Sequence, residues 1–136
     1  MKTLLATTIW ILLLAGACRS DGSIGPSDLL YKRWHLLQSR GVNDTAWITY
    51  DTDAYYDTEY RTDGTLIYRR NGVVTSGPCC AGNRFERKGV IIQYSDSISC
   101  PNVRCGPTLS ATITVLKDSL LELQTGDRVS QYTPAQ

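Results

Sequence analysis

The chain has 136 residues, with 42% hydrophobic and 20% charged residues and a formal net charge of +1. That length bounds it to one modest domain plus terminal segments. The near-neutral balance, without a basic run, gives no support for nucleic-acid binding. Five cysteines and a single histidine restrict the metal and nucleophile chemistry that can be built.

Residues 1–17 read as a signal peptide. Lys2 is a short positive start, an apolar run spans Leu4 to Leu14, and small residues Ala15-Gly16-Ala17 lead to Cys18. The run is shorter than the roughly 20 apolar residues of a spanning helix. Two processing routes fit. Ala15-x-Ala17 suits ordinary signal peptidase, whereas LLLAGAC resembles a bacterial lipobox, with Ala15 where leucine is usual. An odd cysteine in an exported protein asks for a role, and lipidation of Cys18 supplies one. The expectation is therefore anchoring to a membrane through an N-terminal lipid. Removing Lys2 from the 14 basic residues leaves 13 against 13 acidic ones, a formally neutral mature chain. Residues 18–27 (Ser, Gly, Asp and Pro with a lone Ile24) read as the lipidated cysteine and a flexible tether.

The folded part is expected over 28–136. A short turn around Ser27 to Lys32 carries Leu29 and Leu30 inward, with Ser27 or Asp28 as N-cap. Strand patterns then follow one another: 34–38, the aromatic 46–50, 55–61, 65–70, 73–76, 83–87, 90–95, 109–116, 120–125 and 128–133. Asp63-Gly64 and Asn71-Gly72 are hairpin signals, because a type I′ turn needs positive φ at both central residues. In the 109–116 segment Leu109, Ala111, Ile113 and Val115 share one face. Connections this short exclude parallel crossovers, so the sheet is an antiparallel meander. Closure into a barrel would remove its edges.

Cys79, Cys80, Cys100 and Cys105 all fall in the folded part. Disulfides persist in an oxidising compartment, and a bond between adjacent cysteines is strained. Two connectivities remain open: 79–100 with 80–105, or 79–105 with 80–100. A zinc site is the rival, but the adjacent Cys79-Cys80 pair does not match the usual C-x2–4-C spacing. No metal and no cofactor are expected.

The segment TYDTDAYYDTEYRTDG packs acidic residues among tyrosines. As an EF-hand loop from Asp51 it fails, with Tyr56 where glycine belongs and Thr62 where glutamate belongs. It could also make a sugar-stacking surface, but a plain strand accounts for it, Tyr56-Thr58-Tyr60 on one face against Tyr55-Asp57-Glu59 on the other. The lone His35 follows Trp34 and so faces away from it. A serine or cysteine triad needs its base beside a nucleophile and an orienter; with one histidine on the first strand and the domain's cysteines oxidised, no nucleophile–base pair is legible, and the chain is expected not to be an enzyme.

A short turn, the stretch Leu29-Leu30-Tyr31-Lys32-Arg33-Trp34-His35-Leu36, the two Gly hairpins and the closing Leu120-Leu121-Glu122-Leu123 with Tyr132 resemble the lipocalin-like domains of small bacterial lipoproteins. Lys32 stands where the G-x-W signature of classical lipocalins has glycine. The resemblance implies an all-β, calycin-like meander closed into a barrel of eight to nine strands. Trp34 would plug its closed end, and a small apolar ligand would sit in its mouth. Trp34, Leu36, Tyr68, Phe85, Ile92 and Tyr94 are the candidate interior residues. The expected location is the bacterial cell envelope, at the outer membrane or surface, otherwise periplasmic or secreted. The alternative is a ligand-free module that binds an envelope protein or polymer. An apolar cavity separates the two readings.

Overall fold

The structure, a computed structural model, describes residues 27–50, 54–106 and 109–136. The expected leader, Cys18 and almost all of the tether lie outside the described residues, as do Asp51 and Asp53 of the acidic segment.

A 3-10 turn, Ser27–Leu30, leads into ten strands: β1 (Arg33–Gly41), β2 (Ile48–Thr49), β3 (Tyr56–Tyr60), β4 (Leu66–Arg70), β5 (Val73–Thr75), β6 (Gly82–Lys88), β7 (Ile91–Ser97), β8 (Ser110–Lys117), β9 (Leu120–Thr125) and β10 (Arg128–Pro134). They form one antiparallel sheet in the order β5-β4-β3-β1-β10-β9-β8-β7-β6, with β2 pairing β1 off this path. Each of the ten strand-patterned segments forms a strand, one or two more than the eight to nine of the barrel that the resemblance implied. The meander has two arms that meet where the first and last strands pair, from Trp34↔Pro134 to Gly41↔Arg128.

The expected closed barrel is not formed. The sheet curls, but its ladder stays open between β5 and β6. Only the Thr65↔Arg84 bridge, with Phe85 N–H donating to the Gly64 carbonyl at 2.8 Å, joins the two arms there. The cause lies in the connection after β5. Pro78 has no N–H to give a ladder. The following chain bonds elsewhere: Cys80 N–H donates to the Ile98 carbonyl and Ile98 N–H to the Ala81 carbonyl, each at 2.8 Å. A side chain partly replaces the missing ladder, since the Tyr68 hydroxyl donates to the Gly82 carbonyl at 2.6 Å.

Local chemistry explains most of the turns. Asn71 and Gly72 both have positive φ (51° and 79°), as a type I′ hairpin requires. At Asp63-Gly64 only the glycine does. There the Asp63 carboxylate accepts from the Thr65 N–H (3.0 Å) and hydroxyl (2.6 Å), and these two bonds hold its pKa below the usual carboxylate value. The simple alternation expected for β8 also fails. Ala111 and Ile113 are buried, but the register shifts between Ile113 and Val115, and Leu116 takes the inward place assigned to Val115. A bulge adds one residue, so every later side chain changes face. A second irregularity in β1, between Leu36 and Gln38, changes the face of the residues after it, so that Ser39 is buried where plain alternation from Trp34 and Leu36 would turn it outward.

The core gathers at one end. Leu30, Trp34, Leu66, Phe85, Ile92, Ile113, Leu116 and Leu121 are buried together, with Tyr60 edge-on to Phe85 at 5.0 Å. The 3-10 turn caps this end. Trp34 Nε1 donates to the Leu30 carbonyl at 3.0 Å, which satisfies the indole's one polar group. Lys32 Nζ lies 5.1 Å from the Trp34 ring centre.

Candidate functional site

Above this packed end the curled sheet is hollow. A cavity of about 620 Å³ lies between β1, β3, β4 and β10 on one side and the connection from Ser76 to Ala81 on the other. That volume is within the range of small-molecule sites. Trp34 and Leu36 reach it from β1, Thr58 and Tyr60 from β3, Leu66 and Tyr68 from β4, and Tyr94 and Tyr132 from β7 and β10. The exposed lining residues Tyr56, Arg70, Thr75, Ser76, Leu109 and Thr125 mark the mouth, at the end away from the core.

Of the six interior candidates, Trp34, Leu36, Tyr68 and Tyr94 line this cavity, whereas Phe85 and Ile92 are part of the packed end below it. Tyr60 and Tyr132 were not among the candidates, yet they form much of the wall. The signal for Tyr60 was present in the alternation of Tyr56-Thr58-Tyr60, which all line the cavity.

Three of the four phenols of the deep wall are bonded within the protein. Tyr60 and Tyr94 hydroxyls bond each other at 2.8 Å, and Tyr68 is held by Gly82. Burial pushes all of these groups up: Tyr68 to about 12, Tyr60, Tyr94 and Tyr132 in the same direction. The hydrogen bond from Tyr60 works against burial at Tyr94, but burial dominates. These four phenols are therefore uncharged at neutral pH. A group whose folded pKa is raised contributes stability that is complete below its unfolded value, about 10 for tyrosine, and lost as pH rises through the folded value. Tyrosinate absorbance should therefore show four phenols ionising only well above pH ~10, together with loss of the sheet signal in circular dichroism. Ionisation of all eight tyrosines near the ordinary value, with the fold intact, would contradict this placement.

On the outer face of the same strands sits an ion cluster. Asp57, its side chain fully buried, accepts two bonds from Arg33 (Nε 3.0 Å, Nη2 2.7 Å). Arg69 donates to Glu59 at 2.6 Å and approaches Asp57 at 3.7 Å, too long for a hydrogen bond, so its Nη1 has no partner. His35 pairs across from Asp57 on this outer face, opposite in direction to Trp34. Its ring stacks on Tyr55 at 4.0 Å, and Nδ1 lies 2.7 Å from the Tyr56 carbonyl. A carbonyl only accepts, so Nδ1 carries the proton.

The four domain cysteines form two disulfides, Cys79–Cys100 and Cys80–Cys105, one of the two connectivities open from the sequence. They fasten the 76–81 connection, which walls the cavity, to the chain beyond β7. Gly77 is pinched in this connection. A Cβ there would stand 2.6 Å from the Tyr68 ring and 2.8 Å from Ile98 Cδ1.

No family model matches the chain, and no curated protein matches it. Among solved structures, a lipocalin-like protein from Bacteroides uniformis is similar at 17% identity, covering 79% of this chain and 99% of that one, with a TM-score of 0.44.

Proposed function

We propose that the chain is an exported, lipid-anchored, non-catalytic envelope protein whose curled sheet holds a small, largely apolar ligand. The cavity carries this reading. A ligand-free interaction module has no need of a hollow of about 620 Å³ above its core, open at one end and lined mostly by aromatic and apolar side chains at depth. The wall is apolar in effect, because its indole and most of its phenols are bonded within the protein. The disulfides support an oxidising compartment. Their pairing leaves Cys18 as the odd cysteine, the position that lipidation would use.

The test uses residues 18–136 carrying Cys18→Ser, which retains everything described but bears no lipid. Native mass spectrometry of the purified protein should show a co-purifying small molecule. Where it does not, a neutral environment-sensitive dye such as N-phenylnaphthylamine should be taken up and should alter the fluorescence of Trp34. Neither signal would overturn the ligand reading in favour of the interaction module. Acyl chains on Cys18, seen in the intact mass of the natural chain, test the anchor separately.

A further inference from the structure

Three charged residues border the cavity: Asp57 and Arg69, which belong to the ion cluster on the outer face, and Arg70. The first two are spent. Asp57 is held by Arg33, and Arg69 by Glu59. Arg70 is different. It is exposed at the mouth, and among the described residues no acidic side chain pairs with it. Its guanidinium carbon lies 5.8 Å from the Tyr56 ring centre, and the two residues pair directly across β3 and β4. Their alternation places both on the cavity side, in step with Thr58, Tyr60 and Tyr68. This contact holds the guanidinium beside the Tyr56 ring and uses none of its five N–H donors.

We propose that the ligand is an anionic amphiphile, with its head on Arg70 and its apolar body running down toward Trp34 and Leu66. This rests on the ligand-carrier reading above and specifies its chemistry. Three features converge on it. An unpaired guanidinium at a rim recognises carboxylate or a similar planar anion through two parallel hydrogen bonds. The deep wall has no unpaired charge and keeps its phenols neutral, so a charged group would be rejected there and an alkyl or ring body accepted. The size also fits. At about 30 Å³ per water-sized volume, the cavity holds on the order of 20 such volumes, enough for a body of roughly that many heavy atoms. Thr75 and Ser76, beside Arg70 at the mouth, add hydroxyls suited to a head that stays half in water.

The experiment compares three chains of equal length, hexadecanoate, hexadecanol and hexadecyltrimethylammonium, each below its aggregation threshold. Each competes with the neutral dye on residues 18–136 with Cys18→Ser. Hexadecanoate should bind about tenfold more tightly than hexadecanol, the scale of one charge-assisted hydrogen-bonded contact at a partly wet rim. The cationic chain should bind worst. Arg70→Gln should bring the carboxylate-to-alcohol ratio close to one, with Arg70→Lys restoring part of it. Added salt should shrink the ratio, because Arg70 is exposed. Denaturant midpoints for both variants confirm that the fold is retained. If the dye and hexadecanol bind but the carboxylate gains nothing, the anionic head is wrong and the carrier reading stands; if the ratio survives Arg70→Gln, the assignment of the head to Arg70 is wrong and the carrier reading again stands. If neither the dye nor any chain binds, the carrier reading itself fails.

Discussion

Replacing Asp57 by alanine is expected to destabilise the domain by about 3 kcal/mol, the lower end for breaking a buried ion pair by removing one partner. The Asp57 side chain is fully buried in the middle of the β1-β3-β4 face, directly across from His35 and Arg69. Without it, Arg33 loses two hydrogen bonds, and Arg33 and Arg69 are left facing each other. Arg33 is 35% exposed and can swing back toward water, which keeps the cost from the upper end of the range. Asp57→Asn keeps one acceptor and the shape, and should cost less. The double replacement Arg33→Met with Asp57→Leu should recover most of the loss, because apolar groups of similar volume often substitute for a buried pair. Arg69 is not orphaned in that variant, since Glu59 still holds it at 2.6 Å. Urea denaturation with unchanged slope is the measurement. A cost for Asp57→Ala within about 0.5 kcal/mol, the ordinary spread for surface positions, would mean the cluster is only decorative.

This cluster also shows what could and could not be read from residues alone. That Tyr56-Thr58-Tyr60 and Asp57-Glu59 occupy opposite faces follows from the two-residue period of a strand. That Asp57 meets Arg33 and Arg69 does not, because register between separate strands depends on the whole sheet. The hairpin at Asn71-Gly72 was legible because its backbone demands φ values that few other residue pairs supply. The face of Leu116 was not, because a bulge in β8 leaves no mark in an otherwise regular alternation. The cavity has the same character. Apolar, inward-pointing residues were identifiable, but Phe85 and Ile92 pack while Tyr68 and Tyr94 face a void. That division is set by how widely the sheet curls, and so by the open seam between β5 and β6. Closure was expected because it is the general remedy for exposed edges. Instead the chain from Ser76 to Ala81 leaves the edge of the sheet and is tied down by sulfur.

That tie leads to the other large expected effect. The two disulfides close nearly the same loop, with sequence separations of 21 and 25. They should therefore not add as independent bonds. With one intact, the other closes only a small ring through the Cys79-Cys80 step and the 100–105 segment, worth about 2.5 kcal/mol on the chain-entropy estimate. With neither intact, the long loop is released as well, at a further cost of about 3.4 kcal/mol. Cys79→Ser with Cys100→Ser, or Cys80→Ser with Cys105→Ser, should each lower stability by about 2.5 kcal/mol, and all four replacements together by about 6 kcal/mol. Intact mass should drop by four hydrogens on oxidation of the natural domain and by two in each pair variant. A second effect follows from where the bonds sit. Freeing the 76–81 connection removes one wall of the cavity and the backing of Gly77 against Tyr68. Dye should then escape faster from the four-serine variant even under conditions where it remains folded. Equal and additive losses of over 3 kcal/mol per bond would contradict the shared-loop account. An unchanged dye off-rate would show that the connection lies beside the ligand's path without guarding it. In the arrangement seen here, the same two bonds stabilise the domain against unfolding and hold the cavity's outer wall in place.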